Sequence, residues 1–224
     1  MSSFSQFINL RSLSLFHVRS KQILMKIVVE LRHLVNLTHL CFNSYYLPHH
    51  DQTDFELIMS NIWSLPSRTH CNFNIRMKRS QLFSVPPILS SSLEHLSLYG
   101  DTFKWNLINR LFQYTPHIKS LRIHINSYND NDDNEYIKCS FSKLLDLSMT
   151  IFDVSYPSKI FSFLQRTPNL CRLNLSMRFG LIDGHQWENI IRNYLPKLKT
   201  FRFTMETLFD ANRLSKERID ELIN

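Results

Sequence analysis

Thr167-Pro168-Asn169-Leu170-Cys171-Arg172-Leu173-Asn174-Leu175 holds the pattern that decides the fold: apolar-x-x-apolar-x-apolar, in Leu170, Leu173 and Leu175, with a proline two residues before the first apolar slot. The same arrangement stands at Thr115-Pro-His-Ile-Lys-Ser-Leu-Arg-Ile123, where Ile118, Leu121 and Ile123 fill the slots. Working outward, the pattern opens again at Leu10 (with Leu13, Leu15), Leu37 (Leu40, Phe42), Leu93 (Leu96, Leu98), Leu144 (Leu147, Met149) and Leu198 (Phe201, Phe203). The starts at 93, 118, 144, 170 and 198 are 25, 26, 26 and 28 residues apart and the first two 27, whereas 37 to 93 spans 56, twice the period. One further copy is expected there at Arg68, with Cys71 and Phe73 in the later slots; Pro66 precedes it as Pro116, Pro168 and Pro196 precede theirs. Eight copies at a nearly fixed period are the signature of a repeat architecture.

Between the patterns, apolar residues recur at helical spacing: Ile23, Leu24, Ile27, Val28 and Leu31; Phe55, Ile58, Met59, Ile62 and Trp63; Leu107, Ile108, Leu111 and Phe112; Ile160, Phe161 and Leu164; Trp187, Ile190, Ile191, Tyr194 and Leu195. Proline after several of these segments stops the helix, because it lacks the N–H that the next turn would donate. The unit is strand, loop, helix, loop. Such a unit cannot bury its apolar face alone, so neighbours stack into a solenoid with one continuous core. Parallel strands sit about 4.8 Å apart and helices are wider, so the stack curves with the sheet inside. The expected fold class is α/β, a horseshoe of about eight strand-helix repeats with a parallel concave sheet.

The residues in this arrangement resemble the leucine-rich-repeat family, specifically the long helix-bearing repeats of the ribonuclease-inhibitor type and those that follow F-boxes in ubiquitin-ligase receptors. The resemblance spans residues 10 to about 205, and 115–123 and 167–175 look most like the F-box-associated group. It implies a non-enzymatic protein-interaction module, the substrate-recognition region of a ligase receptor; a free-standing scaffold or inhibitor without a ligase role is the alternative. The family places Asn or Cys three residues after the third slot, whereas of the equivalent Val18, Tyr45, Arg76, Asp101, Asn126, Phe152, Arg178 and Glu206 only Asn126 matches, so irregular loops are expected. Nine residues precede Leu10, so a ligase adaptor is an expected partner only if an F-box lies upstream. Leu214, Arg218, Ile219 and Leu222 form a short apolar stripe among charges, so 206–224 is expected to close the array.

With 43% hydrophobic and 20% charged residues the chain belongs with ordinary globular proteins. Its +7 net charge comes from 26 basic residues spread along the whole length, with Arg76, Lys78 and Arg79 the densest run, so a nucleic-acid partner is not expected. No apolar window spans a membrane, the first twenty residues lack a signal-peptide core, and the 4 cysteines (Cys41, Cys71, Cys139, Cys171) lack Cys-x-x-Cys spacing. A reducing cytoplasmic or nuclear setting is therefore expected. Only 3 glycines occur, and neither a nucleophile elbow, a phosphate-binding glycine loop nor a His-Glu-x-x-His stands in the sequence, so no enzymatic activity and no cofactor are expected.

In a strand the x positions face away from the core. The first such column reads Ser12, His39, His70, His95, Ser120, Asp146, Arg172, Thr200; the next reads Ser14, Cys41, Asn72, Ser97, Arg122, Ser148, Asn174, Arg202. The third reads Phe16, Asn43, Asn74, Tyr99, His124, Thr150, Ser176, Thr204. A protein target is expected on this face, contacted by His39, His70, His95, Tyr99, Arg122, His124, Arg172, Asn174 and Arg202, the aromatic and arginine side chains being the kind that anchor interfaces. Three histidines in one column raise a zinc site as the sharp alternative, but flat adjacent strands do not converge three rings on one point; a pH-sensitive patch fits better, and no metal is expected. The acidic insertion at 127–136 (Asp130, Asp132, Asp133, Glu135) lacks the glycine and terminal glutamate of a calcium loop and reads as a solvated excursion, as does the His49-His50-Asp51 cluster.

Overall fold

A computed structural model describes residues 4–18, 20–44, 52–75, 85–125, 140–152, 157–178 and 182–206. The insertion at 127–136, the His49–Asp51 cluster, the Arg76–Arg79 run and the closing stripe at 214–222 lie outside the described residues. The strands are β1 (Ser12–Phe16), β2 (His39–Ser44), β3 (His70–Ile75), β4 (His95–Phe103), β5 (Ser120–Ile125), β6 (Asp146–Ile151), β7 (Arg172–Arg178) and β8 (Thr200–Glu206). They form one eight-stranded sheet in sequence order, every neighbouring pair parallel, which gives the chain a solenoid-like repeat of strand and connection.

Alternation along each strand sends the second and third apolar slots into the core, so Leu121 and Ile123, Leu147 and Met149, and Leu173 and Leu175 are all buried. The strands also run further than the six-residue pattern. Ile125, Ile151 and Met177 fill a fourth inward slot and are buried as completely as the others. In β4 the register shifts between Leu98 and Phe103, and Phe103 takes the fourth slot opposite Ile125.

Among the described residues five α-helices lie in the connections: α1 (Lys21–Glu30), α2 (Gln52–Trp63), α3 (Asn106–Tyr114), α4 (Pro157–Leu164) and α5 (Gly184–Tyr194). Each buries most of the stripe its spacing predicts, for example Leu24 and Val28 of α1, Ile58, Met59, Ile62 and Trp63 of α2, and Trp187 and Ile190 of α5, in one core shared with the strands, whereas Ile23 of α1 and Tyr194 of α5 are exposed. Aromatic rings bridge successive repeats: Phe112 lies 4.0 Å from Phe141, which lies 5.0 Å from Phe163. Helix ends are set by side chains. Ser20 Oγ accepts the Ile23 N–H and Asp183 Oδ1 the His185 N–H, each offering an acceptor to an otherwise unpaired first-turn donor. At the other end the Thr-Pro pairs stop the helix in two ways: buried Thr115 donates its hydroxyl to Leu111 O and buried Thr167 to Leu164 O, while the proline beyond cannot continue the turn.

Each repeat is tied to the next at the same place. Arg11 O accepts the N–H groups of both Thr38 and His39 at 2.9 Å, and the bond pair recurs at every junction. Thr38 O takes Thr69 and His70, Thr69 O takes Glu94 and His95, Glu94 O takes Lys119 and Ser120, Lys119 O takes Leu145 and Asp146, Leu145 O takes Cys171 and Arg172, and Cys171 O takes Lys199 and Thr200.

The third repeat departs from the rest where its sequence does. Arg68 occupies the first apolar slot and is fully buried, its guanidinium 5.7 Å from the Trp63 ring centroid and its Nη2 donating to Ser90 Oγ at 3.4 Å. Nε and Nη1 have no hydrogen-bond partner among the described residues, and burial pulls the guanidinium pKa below its ordinary value. An unpaired buried cation is costly, and exchanging buried charge for a well-packed apolar side chain is commonly neutral or stabilising by about 1–4 kcal/mol. Arg68→Leu is therefore expected to raise the thermal midpoint by a stabilisation in that range. A lower midpoint would show that the Trp63 and Ser90 contacts outweigh the desolvation.

Candidate functional site

The helices and apolar slots lie on one side of the sheet, which leaves the x positions on an open face. Register sets its columns. His39 pairs with His70 and His70 with His95, Cys41 with Asn72 and Asn72 with Ser97, and Ser97 with Arg122 on the next strand. Further along, Arg122 pairs with Ser148, Ser148 with Asn174 and Asn174 with Arg202. The first two predicted columns are thus continuous rows of paired positions, while the third is broken by the register shift in β4 between Tyr99 and His124.

The three histidines of the first column stack face to face. Ring centroids are 4.0 Å apart at an interplanar angle of 15° between His39 and His70, and 4.1 Å at 9° between His70 and His95. The residue before each ring fixes its edge: Thr38 Oγ1 lies 2.8 Å from His39 Nδ1 and Thr69 Oγ1 2.8 Å from His70 Nδ1. In the third repeat of the stack that residue is Glu94, whose carboxylate is 4.0 Å from His95 Nε2 and 2.8 Å from Lys119 Nζ. The Lys119 hydrogen bond, with the lysine charge, holds the Glu94 carboxyl below its ordinary pKa despite some desolvation. With Ser12, Cys41, Asn72 and Ser97 the rings line a shallow pocket of about 320 Å³.

Burial, then the neighbouring His95 and His39, lower the pKa of His70, with Glu94 opposing. The lone pairs of parallel rings point in parallel directions, whereas zinc needs nitrogens converging at about 2.0–2.1 Å. Among the described residues no three His, Cys, Asp or Glu side chains are grouped to hold a metal ion. Cys41 and Cys71 are also among the residues that line this pocket, Cys71 from the core side, which invites comparison with a Cys–His nucleophile. Burial alone raises Cys41, and it drives the fully buried Cys71 up to about 12, so both are protonated thiols near neutral pH, the opposite of an activated thiolate.

A second group lies toward the C-terminal ends of the middle strands. Tyr99 meets His124 edge-on at 5.1 Å, His124 meets Phe152 at 5.9 Å, and the Arg178 guanidinium sits 5.2 Å from the Phe152 ring centroid. Phe152 and Arg178 are absent from the sequence-predicted set. Both occupy the position three residues after the third slot, where the family pattern has Asn or Cys, and two successive departures to an aromatic and a cation were the signal.

The remaining expected residues do not gather at one point. Arg172 is held by an ion pair with Asp146, its Nη2 2.5 Å from Oδ2, and Asn174 bonds to Ser148 Oγ at 3.4 Å. Arg122 and Arg202 are exposed and make no ion pair among the described residues. From His39 on β2 to Arg202 on β8 the face crosses six strand spacings, on the order of 29 Å at about 4.8 Å each. That is the span of an extended partner rather than of a small ligand. No helix among the described residues is long and apolar enough to cross a membrane.

Two outcomes follow from the stack. Titrating the purified chain with zinc is expected to give no stoichiometric, chelator-reversible rise in thermal midpoint; such a rise would mean that the rings rotate to converge on the ion. For acid stability, the depressed pKa of folded His70 means that the unfolded chain takes up its proton first. This group's contribution is complete above about pH 6.5, the free-imidazole value, and is lost as pH falls from there to the folded pKa. Urea midpoints measured from pH 7.5 to 5 should therefore fall less steeply in His70→Gln than in the parent, and an identical slope would refute the assignment.

Comparisons of the chain with known protein families, with curated proteins and with solved structures find no match.

Proposed function

We propose that the chain is a horseshoe solenoid of the leucine-rich-repeat kind that binds another protein across the open face of its sheet and performs no chemistry of its own. The observation that carries this reading is the eight-strand parallel sheet, whose first two columns of x positions align across every junction into rows with the core covered on the other side. Such a surface is long, rigid in its spacing and rich in hydrogen-bonding groups, and its aromatic and arginine residues supply anchors. The protonated state of the two thiols beside the histidines supports a binding role over nucleophilic catalysis at that place.

The likeness of 115–123 and 167–175 to the repeats that follow F-boxes supports a narrower form, in which this region holds the target of a ubiquitin ligase while other parts carry out transfer. A scaffold or inhibitor that uses the same face without degradation shares the binding surface and differs only in its consequence.

A blocked face tests the common core of these readings. Ser148→Trp with Asn174→Trp fills the centre of the second column, and Gln113→Trp places the same bulk on the exposed side of α3. In affinity purification from cells, proteins retained by the parent and by the α3 variant are expected to be lost from the face variant at unchanged thermal midpoint. Retention by the face variant would remove the open face as the binding surface. A ligase adaptor among proteins retained by the complete gene product would support the narrower form.

A further inference from the structure

The charges of the open face do not balance. Its two described carboxylates are already engaged, Asp146 by Arg172 and, beside it, Glu94 by Lys119. Arg122 and Arg202 are left exposed without an ion pair among the described residues. Arg122 is the cross-strand neighbour of Ser97, which lines the pocket of the histidine stack, so Arg122 stands one strand beyond that pocket on the same face. The face therefore offers cationic and proton-accepting groups, and the side chains described on it include no free carboxylate to satisfy them.

Resting on the reading of this face as a protein-binding surface, we propose that its partner presents an acidic stretch whose carboxylates lie over the His39–His70–His95 stack and Arg122, and that this docking tightens on acidification. The groups facing His70 decide the direction. From β2 these are His39 and the protonated Cys41, from β4 they are His95 and Glu94, and Arg68 and Cys71 of its own repeat are buried in the core beneath. Without a ligand, burial and the flanking rings about 4 Å away on either side make the central His70 resist taking up a proton. A partner carboxylate set over the rings favours the imidazolium form, so binding takes up a proton. An opposite charge at close range shifts such a group by about one to three pKa units, and one unit is tenfold in affinity. Glutamate side chains remain ionised throughout the range in which imidazole titrates, so the pH dependence belongs to the histidines.

The choice of a protein carboxylate over a nucleic-acid phosphate rests on spacing and density. Two unpaired arginines and a stack that holds few charges at once are a weak match to the unbroken charge of a phosphate backbone, whose binding draws on many simultaneous cations.

The test is fluorescence anisotropy with the full chain and a labelled decamer of glutamate at pH 7.5 and 5.5, at constant ionic strength. A lysine decamer and a ten-nucleotide single-stranded DNA serve as competing probes. The glutamate decamer is expected to bind about tenfold more tightly at pH 5.5. In His39→Gln/His70→Gln the ratio of the two affinities should fall toward one, and Arg122→Gln should weaken binding at both pH values. Equal affinity at both pH values, or a ratio that survives the histidine substitutions in variants of unchanged thermal midpoint, overturns the proposal. So does DNA binding at least as tight as the peptide's, which would move the face to nucleic acid. If proteins captured through the open face bind independently of pH and of the histidines, this inference fails while the binding surface stands. If they bind regardless of the Trp-blocked face, the surface itself fails.

Discussion

A single backbone carbonyl ahead of each of the first seven strands, accepting two N–H groups from the following repeat, is the constraint on which the rest of the molecule depends. It recurs from Arg11 O to Cys171 O and fixes the point at which every strand enters the sheet. Because side chains alternate with a period of two, a slip of one residue at any junction would carry the apolar slots to the open face and the polar column into the core. The shared carbonyl leaves no room for that slip. The histidine stack follows from it: His39, His70 and His95 are each the second of the two N–H donors at their junction, so the rings rise from equivalent points on successive strands. The threonine hydroxyls at the first donor position then hold the Nδ1 edges of two of the rings.

The eight strands and five helices were legible in the sequence because a strand with two inward slots and a helix with one inward stripe leave different periods. Loop-borne and rotamer-borne detail was not. The fourth slot, filled by Ile125, Ile151 and Met177, lies one residue before the family's Asn or Cys position, where irregular loops were expected to begin, so extension of the strand was masked by that expectation. The shared column of the three histidines could be read from spacing, but their parallel stacking depends on side-chain torsions and on hydroxyls one residue upstream. Phe152 and Arg178 meet only because the middle strands end in step. Arg68 was visible as a charge in an apolar slot, and its complete burial against Trp63 is a tertiary outcome that a one-dimensional pattern does not encode.

The ends of the array behave differently from its middle, as nearest-neighbour stacking requires. Leu121 and Ile123 of β5 are shielded from both sides, while Leu13 and Leu15 of β1 are only partly buried and Phe201 and Met205 of β8 are exposed at 36% and 40%. On the last repeat Ile182, Trp187, Ile191, Phe201 and Phe203 line an apolar hollow of about 610 Å³. The candidate binding groups avoid this gradient for the most part: the histidine stack spans β2 to β4 and the Tyr99–His124–Phe152 row lies on the middle strands. Arg202, on β8, is the exception.

Within that protected interior the third repeat is the weak unit. Its core slot holds an unpaired guanidinium where other repeats hold leucine or isoleucine, and two residues later its strand begins with His70, the ring that touches both others. Local opening proceeds through the units with least free energy to lose. An opening of this repeat would separate both ring contacts at once and expose Arg68 to water. Protonation of His70 and escape of the Arg68 charge from the core therefore pull in the same direction, toward the opened repeat, whereas a carboxylate bound over the closed stack pulls against it. The polar face and the imperfect core beneath it are in this way joined through one strand, with His70 on the one and Arg68 in the other.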